Sequence, residues 1–209
     1  MRLLPAVLLM AAIVVASNVL VQFVIAGGLL TWGAFSYPAT FLVVDLTNRV
    51  HGPRAARTVV LWGFAVGILC SLVGSQVTLP TGPAVPLRVA VASGAAFLAG
   101  QLLDVAIFQA LRRRAWWAAP LTSTFVSSTL DTAVFFGLAF SADAAPLFPE
   151  AANAATAWAL DLAPFLHLGP PAPLWASLAA ADLGVKVALA LLALLPYRLV
   201  LRRIQLRTA

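Results

Sequence analysis

The chain has 209 residues, of which 62% are hydrophobic and only 10% are charged, and its formal net charge is +6. A mean hydropathy of +0.99 is too high for a soluble domain and excludes a disordered chain. Because helices satisfy their backbone hydrogen bonds internally, this composition predicts an all-α membrane protein. The sequence lacks a phosphate-binding G-x-x-x-x-G-K-[ST] loop, so we expect no ATPase site within it.

Six apolar stretches approach or exceed the roughly 20 residues that a helix needs to cross the hydrocarbon core. They use up most of the chain, so residues 1–209 are expected to form one six-helix membrane domain. The predicted spans are 3–25, 29–45, 58–79, 88–111, 118–142 and 174–200. The first run continues for 23 residues without a small-residue cleavage site, so we expect a retained helix rather than a signal peptide.

The second predicted span is the shortest and contains Gly33 and Pro38. Proline removes a backbone donor and clashes with the preceding turn, so we expect a kinked or partly unwound backbone here. Broken spans often mark the binding site of a transporter, because freed backbone groups can line a cavity. A proline kink with only a packing role is the alternative.

Basic residues are concentrated in alternate connections, which predicts the orientation of the chain in the membrane. If the amino terminus is inside, 11 of the 13 basic residues lie on the inner side. They are Arg2, Arg49, Arg54, Arg57, Arg112, Arg113, Arg114, Arg198, Arg202, Arg203 and Arg207. We therefore expect both termini in the cytoplasm, and the pI of about 11.1 indicates contact with anionic lipid rather than with nucleic acid.

Metal and cofactor chemistry is not expected from this sequence. The single Cys70 permits no internal disulfide and no multi-cysteine metal site. His51 and His167 fall in connections on opposite sides of the membrane, so they cannot share a metal ion. No pattern in the sequence indicates the oligomeric state.

Asp104, Asp131 and Asp182 each lie inside a long apolar run. A charge in the middle of a bilayer costs several kcal/mol, so such residues usually face a protein interior or a hydrated cavity and handle ions or polar solutes. Asp131 has no basic residue nearby in the sequence to neutralise it. This placement predicts a membrane transporter.

Helical spacing gathers polar residues onto single faces of four predicted helices, because positions three or four apart lie above one another. The faces are formed by Asn18 with Gln22, Gln101 with Asp104, Thr124, Ser127 and Ser128 with Asp131, and Asp182 with Lys186. These four polar faces are best explained by a shared site at the centre of the bundle. Interhelical hydrogen bonding by the amides and a structural Asp182–Lys186 pair are the alternatives. Asp45, four residues before Arg49, has either an interfacial ion pair or a gating role.

Several segments resemble a known bacterial family: SNVLVQ at 17–22, TWGAFSYP at 31–38, DLTNR at 45–49 and GQLLDV at 100–105. Further matches are WWAAP at 116–120, Ser123 with Thr124, Asp131 with Thr132, and Asp182 with Lys186. In these segments the chain resembles the queuosine-precursor transporters, also called the vitamin uptake family. The resemblance implies import of 7-cyano-7-deazaguanine and 7-aminomethyl-7-deazaguanine across the bacterial inner membrane. It also implies a six-helix bundle similar to the substrate-binding components of energy-coupling-factor transporters.

The chemistry of a deazaguanine suits the polar faces. Its ring N–H and exocyclic amine can both donate to one carboxylate, and we expect that one of Asp131 and Asp104 reads this edge. Its carbonyl can accept from an amide, and its flat ring can stack on an aromatic side chain. The candidates are Asn18, Gln22 and Gln101 for the carbonyl, and Trp32 and Phe35 for the ring.

Asp182, held by Lys186, is expected either to tune the pocket or to carry a coupling proton. A buried carboxylate can relay protons, whereas facilitated diffusion with later trapping of the substrate needs no coupling, and the sequence does not distinguish these mechanisms.

Two alternative functions stay open from the sequence. One is a vitamin-binding subunit that works only with separate ATPases. The other is an intramembrane aspartyl protease, in which two aspartates share a proton and act as acid and base. Such proteases resemble one another in a Gly-x-Gly-Asp segment, whereas the aspartates here follow Leu103, Leu130 and Ala181.

Overall fold

Helices dominate the computed structural model, which describes residues 3–79 and 82–208, with side chains through residue 203. The helices are α1 Leu4–Leu20, α2 Gly33–Ser36, α3 Ala39–His51, α4 Pro53–Gln76, α5 Leu87–Leu111, α6 Ala118–Phe140, α7 Glu150–Ala154 and α8 Leu174–Thr208. Within the described residues, α4, α5, α6 and α8 are long and apolar enough to cross a membrane, and α1 is a shorter apolar helix. The all-α membrane class is thus confirmed.

Three two-stranded antiparallel hairpins join the helices. They pair β1 Val24–Ile25 with β2 Leu30–Thr31, β3 Thr78–Leu79 with β4 Gly82–Pro83, and β5 Leu162–Pro164 with β6 Pro171–Pro173. We call the end of the bundle that carries them the hairpin end. The opposite end, with the connections at residue 52 and at 112–117, is called the basic end.

The first two predicted spans differ from the observed helices. The predicted span 3–25 ends five residues early, because the chain leaves α1 at Leu20 and forms the first hairpin. Gly27 and Gly28 make this turn possible, since both adopt positive φ angles of 65° and 98°. The predicted span 29–45 is likewise divided into a hairpin strand, the short α2 and the 13-residue α3.

The predicted break at Pro38 is confirmed. Helix α2 ends at Ser36 and α3 begins at Ala39. The Tyr37 amide still donates to the Gly33 carbonyl at 3.0 Å, whereas Pro38 has no N–H to continue the ladder. The break turns the Tyr37 side chain towards the middle of the bundle.

Helix α3 lies at the centre of the bundle and contacts α1, α4, α5, α6 and α8. One core packs around Val44 of α3, Met10 of α1 and Val60 of α4, all fully buried. The outer faces carry large exposed leucines, such as Leu8, Leu72 and Leu192, which is the surface expected to face lipid. Because the outer faces are apolar, the buried polar side chains lie in the interior of the bundle.

Arg88, in the first turn of α5, is 2% exposed despite its charge. Its Nε donates to the Leu138 carbonyl at 3.0 Å and its Nη2 to the Ser141 carbonyl at 2.8 Å. Its Nη1 donates to Asn153 Oδ1 at 3.0 Å, and the guanidinium lies over the Phe148 ring. One arginine therefore fastens the connection between α6 and α8 to the ends of α5 and α6.

Gly33 lies where α2 packs against the end of α1. A Cβ atom at this position would be 3.0 Å from the Ser17 carbonyl oxygen and 3.0 Å from the Val21 nitrogen. Both are backbone atoms that cannot rotate away, so we expect Gly33→Ala to destabilise the protein by about 1–3 kcal/mol. The matched control is Gly137→Ala in α6, where nothing lies within 4 Å of the added atom and a gain in helix propensity is expected. Thermal unfolding in detergent measures the stability of both variants. A melting temperature of Gly33→Ala equal to or higher than that of the unaltered protein would contradict the expectation.

Candidate functional site

A charged cluster lies between α6 and α8. Lys186 Nζ is 2.6 Å from Asp131 Oδ2 and 2.5 Å from Asp182 Oδ2. It also donates to Thr132 Oγ1 at 2.9 Å, and Thr132 Oγ1 donates to Asp182 Oδ2 at 2.9 Å. Tyr37 Oη donates to Asp131 Oδ1 at 2.8 Å. We call these five residues the lysine cluster.

The local sequence explains how the lysine cluster forms. Asp182 and Lys186 are one helical turn apart on α8, so their side chains meet on one face. Gly100 of α5 lies against Asp131, and a Cβ atom on this glycine would be 3.0 Å from the Asp131 Cβ. The close approach of α5 to α6 at Gly100 holds Asp131 in the interior of the bundle. The break before Pro38 places the Tyr37 hydroxyl next to Asp131.

The lysine cluster is deep and closed. Asp131 is 13 residues from the start of α6 at Ala118, so it lies about 20 Å along the helix from the basic end. Asp131 is 3% exposed and Lys186 is 4% exposed. Buried charges persist only when they are paired and hydrogen-bonded, and both requirements are met here.

A second acidic site, which we call the acid pair, is formed by Asp45 of α3 and Asp104 of α5. The two residues are 2% and 0% exposed and are neighbours, because Asn48, one turn after Asp45, donates its side-chain N–H to the α5 carbonyl directly after Asp104 at 3.1 Å. Ser123 Oγ and Thr124 Oγ1 of α6 donate to the two Asp45 oxygens, each at 3.4 Å. Asp104 is seven residues before the end of α5, so the acid pair lies about 10 Å from the basic end.

The expected Asp45–Arg49 ion pair is not formed. Arg49 Nη1 instead donates to the Arg112 carbonyl at 2.6 Å, and Arg112 Nη2 donates to the Arg49 carbonyl at 3.0 Å. The ends of α3 and α5 are thus tied together by two arginines, because a helix C-terminus offers carbonyls without helical partners. The gating role of Asp45 and Arg49 stays a prediction.

Unpartnered polar atoms lie in the interior around both acidic sites. Gln101 Nε2 donates to Thr40 Oγ1 at 2.8 Å, whereas the Gln101 Oε1 atom has no partner. Among the described residues, the other buried atoms without partners are Asn48 Oδ1, both Asp104 oxygens, Ser127 Oγ, Ser128 Oγ and Tyr197 Oη. Buried polar groups are nearly always satisfied by protein, water or ligand, so this interior is suited to polar guests.

A small cavity of about 20 Å³ lies between α3, α6 and α8. Asp45, Thr124 and Tyr197 are among the residues that line it. A volume of this size holds about one water molecule. The acid pair therefore has room for a water molecule beside it.

Two of the predicted amides lie away from the acidic sites. The Asn18 side chain donates to the Val14 carbonyl of its own helix at 2.9 Å. Gln22 does not share a helical face with Asn18, because α1 ends at Leu20; its exposed amide donates to the Ala84 carbonyl at 3.3 Å. The residue of this region that faces inward is Ser17, whose hydroxyl contacts that of Ser36 at 2.8 Å.

The aromatic residue at the carboxylates is Tyr37, which the sequence analysis did not select. Trp32 and Phe35 are 52% and 41% exposed, and their ring centroids are 6.0 Å apart at the hairpin end. Lys186 Nζ lies 5.5 Å from the centre of the Tyr37 ring. The signal for Tyr37 was its position directly before the helix-breaking proline of the 31–38 segment.

Long apolar helices around buried, paired carboxylates define a multi-pass membrane protein of the transporter class. Comparison with known proteins identifies the family. The sequence model described as "Putative vitamin uptake transporter" matches residues 31–200, and the chain belongs to this family. The resemblance expected from the sequence is confirmed, and the family is one of transporters rather than enzymes.

Curated relatives carry names that agree with this family. The chain is 38% identical over 141 residues to the "Queuosine precursor transporter" of Escherichia coli K12, an alignment that covers 61% of this chain and 64% of the relative. It is 37% identical over 131 residues to the "Probable queuosine precursor transporter" of Haemophilus influenzae, covering 57% of this chain and 56% of the relative.

A protein of the same name from Bacillus subtilis is 33% identical over 128 residues, covering 53% of this chain and 56% of the relative. The matched region thus spans about three fifths of the length of these relatives. No solved structure matches the chain. These names favour neither the ATPase-dependent vitamin-binding subunit nor the aspartyl protease.

Proposed function

We propose that the chain imports the queuosine precursors 7-cyano-7-deazaguanine and 7-aminomethyl-7-deazaguanine, and that the lysine cluster binds the base. The buried Asp131 carboxylate carries this proposal, because it lies deep in the bundle with a neutral, exchangeable hydroxyl on one of its oxygens. The names of the curated relatives support the choice of substrate.

Base binding exchanges one set of hydrogen bonds for another. The Tyr37 hydroxyl releases Asp131, and the ring N–H and exocyclic amine of the deazaguanine donate to the carboxylate instead. Lys186 remains between Asp131 and Asp182, so each carboxylate keeps its contact with the ammonium group throughout.

The remaining groups of the site have complementary roles in the proposal. The second N–H of Gln101 Nε2, beside the one donated to Thr40, donates to the base carbonyl, and the unpartnered Ser127 hydroxyl supplies a further contact. The Tyr37 ring provides a stacking face, and Trp32 and Phe35 offer exposed rings to the base at the hairpin end. An aminomethyl cation is attracted to Asp182.

The membrane arrangement is part of the same proposal. Six segments, α1, α2 with α3, α4, α5, α6 and α8, cross the bacterial inner membrane in a bundle similar to the substrate-binding components of energy-coupling-factor transporters. The basic end faces the cytoplasm together with both termini, which is supported by the 11 basic residues assigned to that side. The hairpin end faces outward and receives the substrate.

Uptake by whole cells tests the function. The chain is expressed in a bacterial host that lacks its own synthesis and uptake of the precursors, and accumulation of radiolabelled 7-cyano-7-deazaguanine is compared with that of a vector control. We expect uptake that excess unlabelled 7-aminomethyl-7-deazaguanine reduces and excess biotin does not. Uptake no greater than that of the vector control, with the protein detected in the membrane, would contradict the proposal.

A further inference from the structure

The acid pair is distinct from the lysine cluster in its surroundings. The lysine cluster contains two carboxylates and one ammonium group, whereas the acid pair contains two carboxyl groups and two hydroxyl donors. In the part of the chain that the structure describes, the ion pairs within 4.0 Å all belong to Lys186. The acid pair is therefore not neutralised by lysine or arginine.

The hydrogen-bond donors around the acid pair indicate that the pair binds a proton. Ser123 and Thr124 donate to Asp45, whereas neither Asp104 oxygen has a hydrogen-bond partner within 3.5 Å among the described residues. Two ionised carboxylates have only acceptor atoms, so they cannot hydrogen-bond to each other. Two neighbouring carboxyl groups in a buried, low-dielectric interior share a proton, because two like charges side by side repel each other strongly. A proton between Asp45 and Asp104 supplies the missing donor.

Five ionisable groups lie around the acid pair, and none of them forms an ion pair with it. They are Arg49 on α3, Arg54 and Arg57 on α4, Arg112 after α5 and Tyr197 on α8. Arg49 and Arg112 bind each other's carbonyls, and Arg54 and Arg57 are exposed. The Tyr197 hydroxyl lines the small cavity beside Asp45 and has no partner of its own. This cavity has room for about one water molecule, which can accept the proton that Asp45 releases.

We propose that Asp45 and Asp104 form a proton-binding site that couples entry of a proton to import of the base. Polar atoms of Gln101 and Ser127 lie between this site and the lysine cluster, on the same faces of α5 and α6. The pair is protonated during import and releases the proton to the basic end. This inference rests on the proposed function and adds its energy source.

Purified protein in liposomes tests the coupling. With the membrane potential clamped at zero and one proton per substrate molecule, a gradient of one pH unit with the lumen alkaline drives about tenfold accumulation of 7-cyano-7-deazaguanine. We expect this plateau with the unaltered protein, together with acidification of the lumen, read by a trapped pH dye, when substrate is added. A protonophore should reduce the plateau to equal concentrations inside and outside.

Asp45→Asn and Asp104→Asn remove the titrating groups with little change in shape. We expect both variants to lose the acidification signal and to reach a plateau ratio near one, whereas the exposed Asp143→Asn control keeps both. The plateau ratio reports coupling rather than rate, so a slow variant is still informative. Retention of a tenfold plateau by Asp45→Asn or Asp104→Asn overturns the proposal.

An exchange measurement on the unaltered protein distinguishes an error in the proposed proton coupling from an error in the proposed function. Liposomes preloaded with unlabelled precursor exchange it for labelled precursor if the proposed function is correct. Exchange without any effect of the pH gradient overturns the coupling and leaves the function intact. Absence of both exchange and uptake contradicts the proposed function itself.

Discussion

Replacing Lys186 with methionine is expected to destabilise the bundle by about 3–5 kcal/mol, because it leaves the buried Asp131 carboxylate and the partly exposed Asp182 carboxylate without their shared cation. Asp131 and Asp182 both lie within 2.6 Å of the Lys186 ammonium group. Methionine keeps the length of the side chain, so the loss is mainly that of the charge. Transport should fall to the level of the vector control.

Thermal unfolding of the detergent-solubilised protein measures this change. The matched comparison is the triple variant Asp131→Asn, Asp182→Asn, Lys186→Met, which removes all three charges at once. We expect the triple variant to recover most of the lost stability and none of the transport, because neutral side chains no longer require a counter-ion. If Lys186→Met melts at the temperature of the unaltered protein, the ammonium group does not hold the cluster together.

Asp131→Asn is expected to lower the uptake of 7-cyano-7-deazaguanine about 10- to 100-fold, in line with the roughly 1.5–3 kcal/mol of hydrogen bonds to a charged group. The asparagine offers one acceptor and two donors where the base edge needs two acceptors. Stability should fall less than for Lys186→Met, because Lys186 keeps its contact with Asp182.

Initial uptake rates over a range of substrate concentrations measure the effect, after the amount of protein in the membrane has been matched. Asp143→Asn, an exposed substitution in the connection after α6, is the control and should transport normally. Unchanged uptake by Asp131→Asn would show that this carboxylate does not bind the base. The base would then have to be bound by the other polar groups.

Hydropathy predicted the helical membrane class and the four long helices, and the missing N–H of proline predicted the break at Pro38, because these features depend on residues that are neighbours in sequence. Hydropathy did not predict the end of α1, since the apolar residues continue past Leu20 while Gly27 and Gly28 turn the backbone back. Hydropathy measures the cost of leaving water, and a hairpin of apolar residues has nearly the same composition as a helix.

The candidate site was predicted in parts. The spacing of Asp182 and Lys186 indicated their pairing, since one helical turn separates them. The contact of Lys186 with Asp131 and the contact of Asp45 with Asp104 cross between helices, so no spacing within one helix contains them. They depend on which faces meet, and therefore on packing details such as the approach of α5 to α6 at a glycine.

Arg88 has a consequence for how the bundle can move. Three hydrogen bonds of this side chain join α5, the end of α6 and the connection that follows α6. We expect these parts to behave as one rigid body, because separating them would strand a buried guanidinium. We therefore expect any opening at the hairpin end to involve α1 and the hairpin before α2, which Arg88 does not bind.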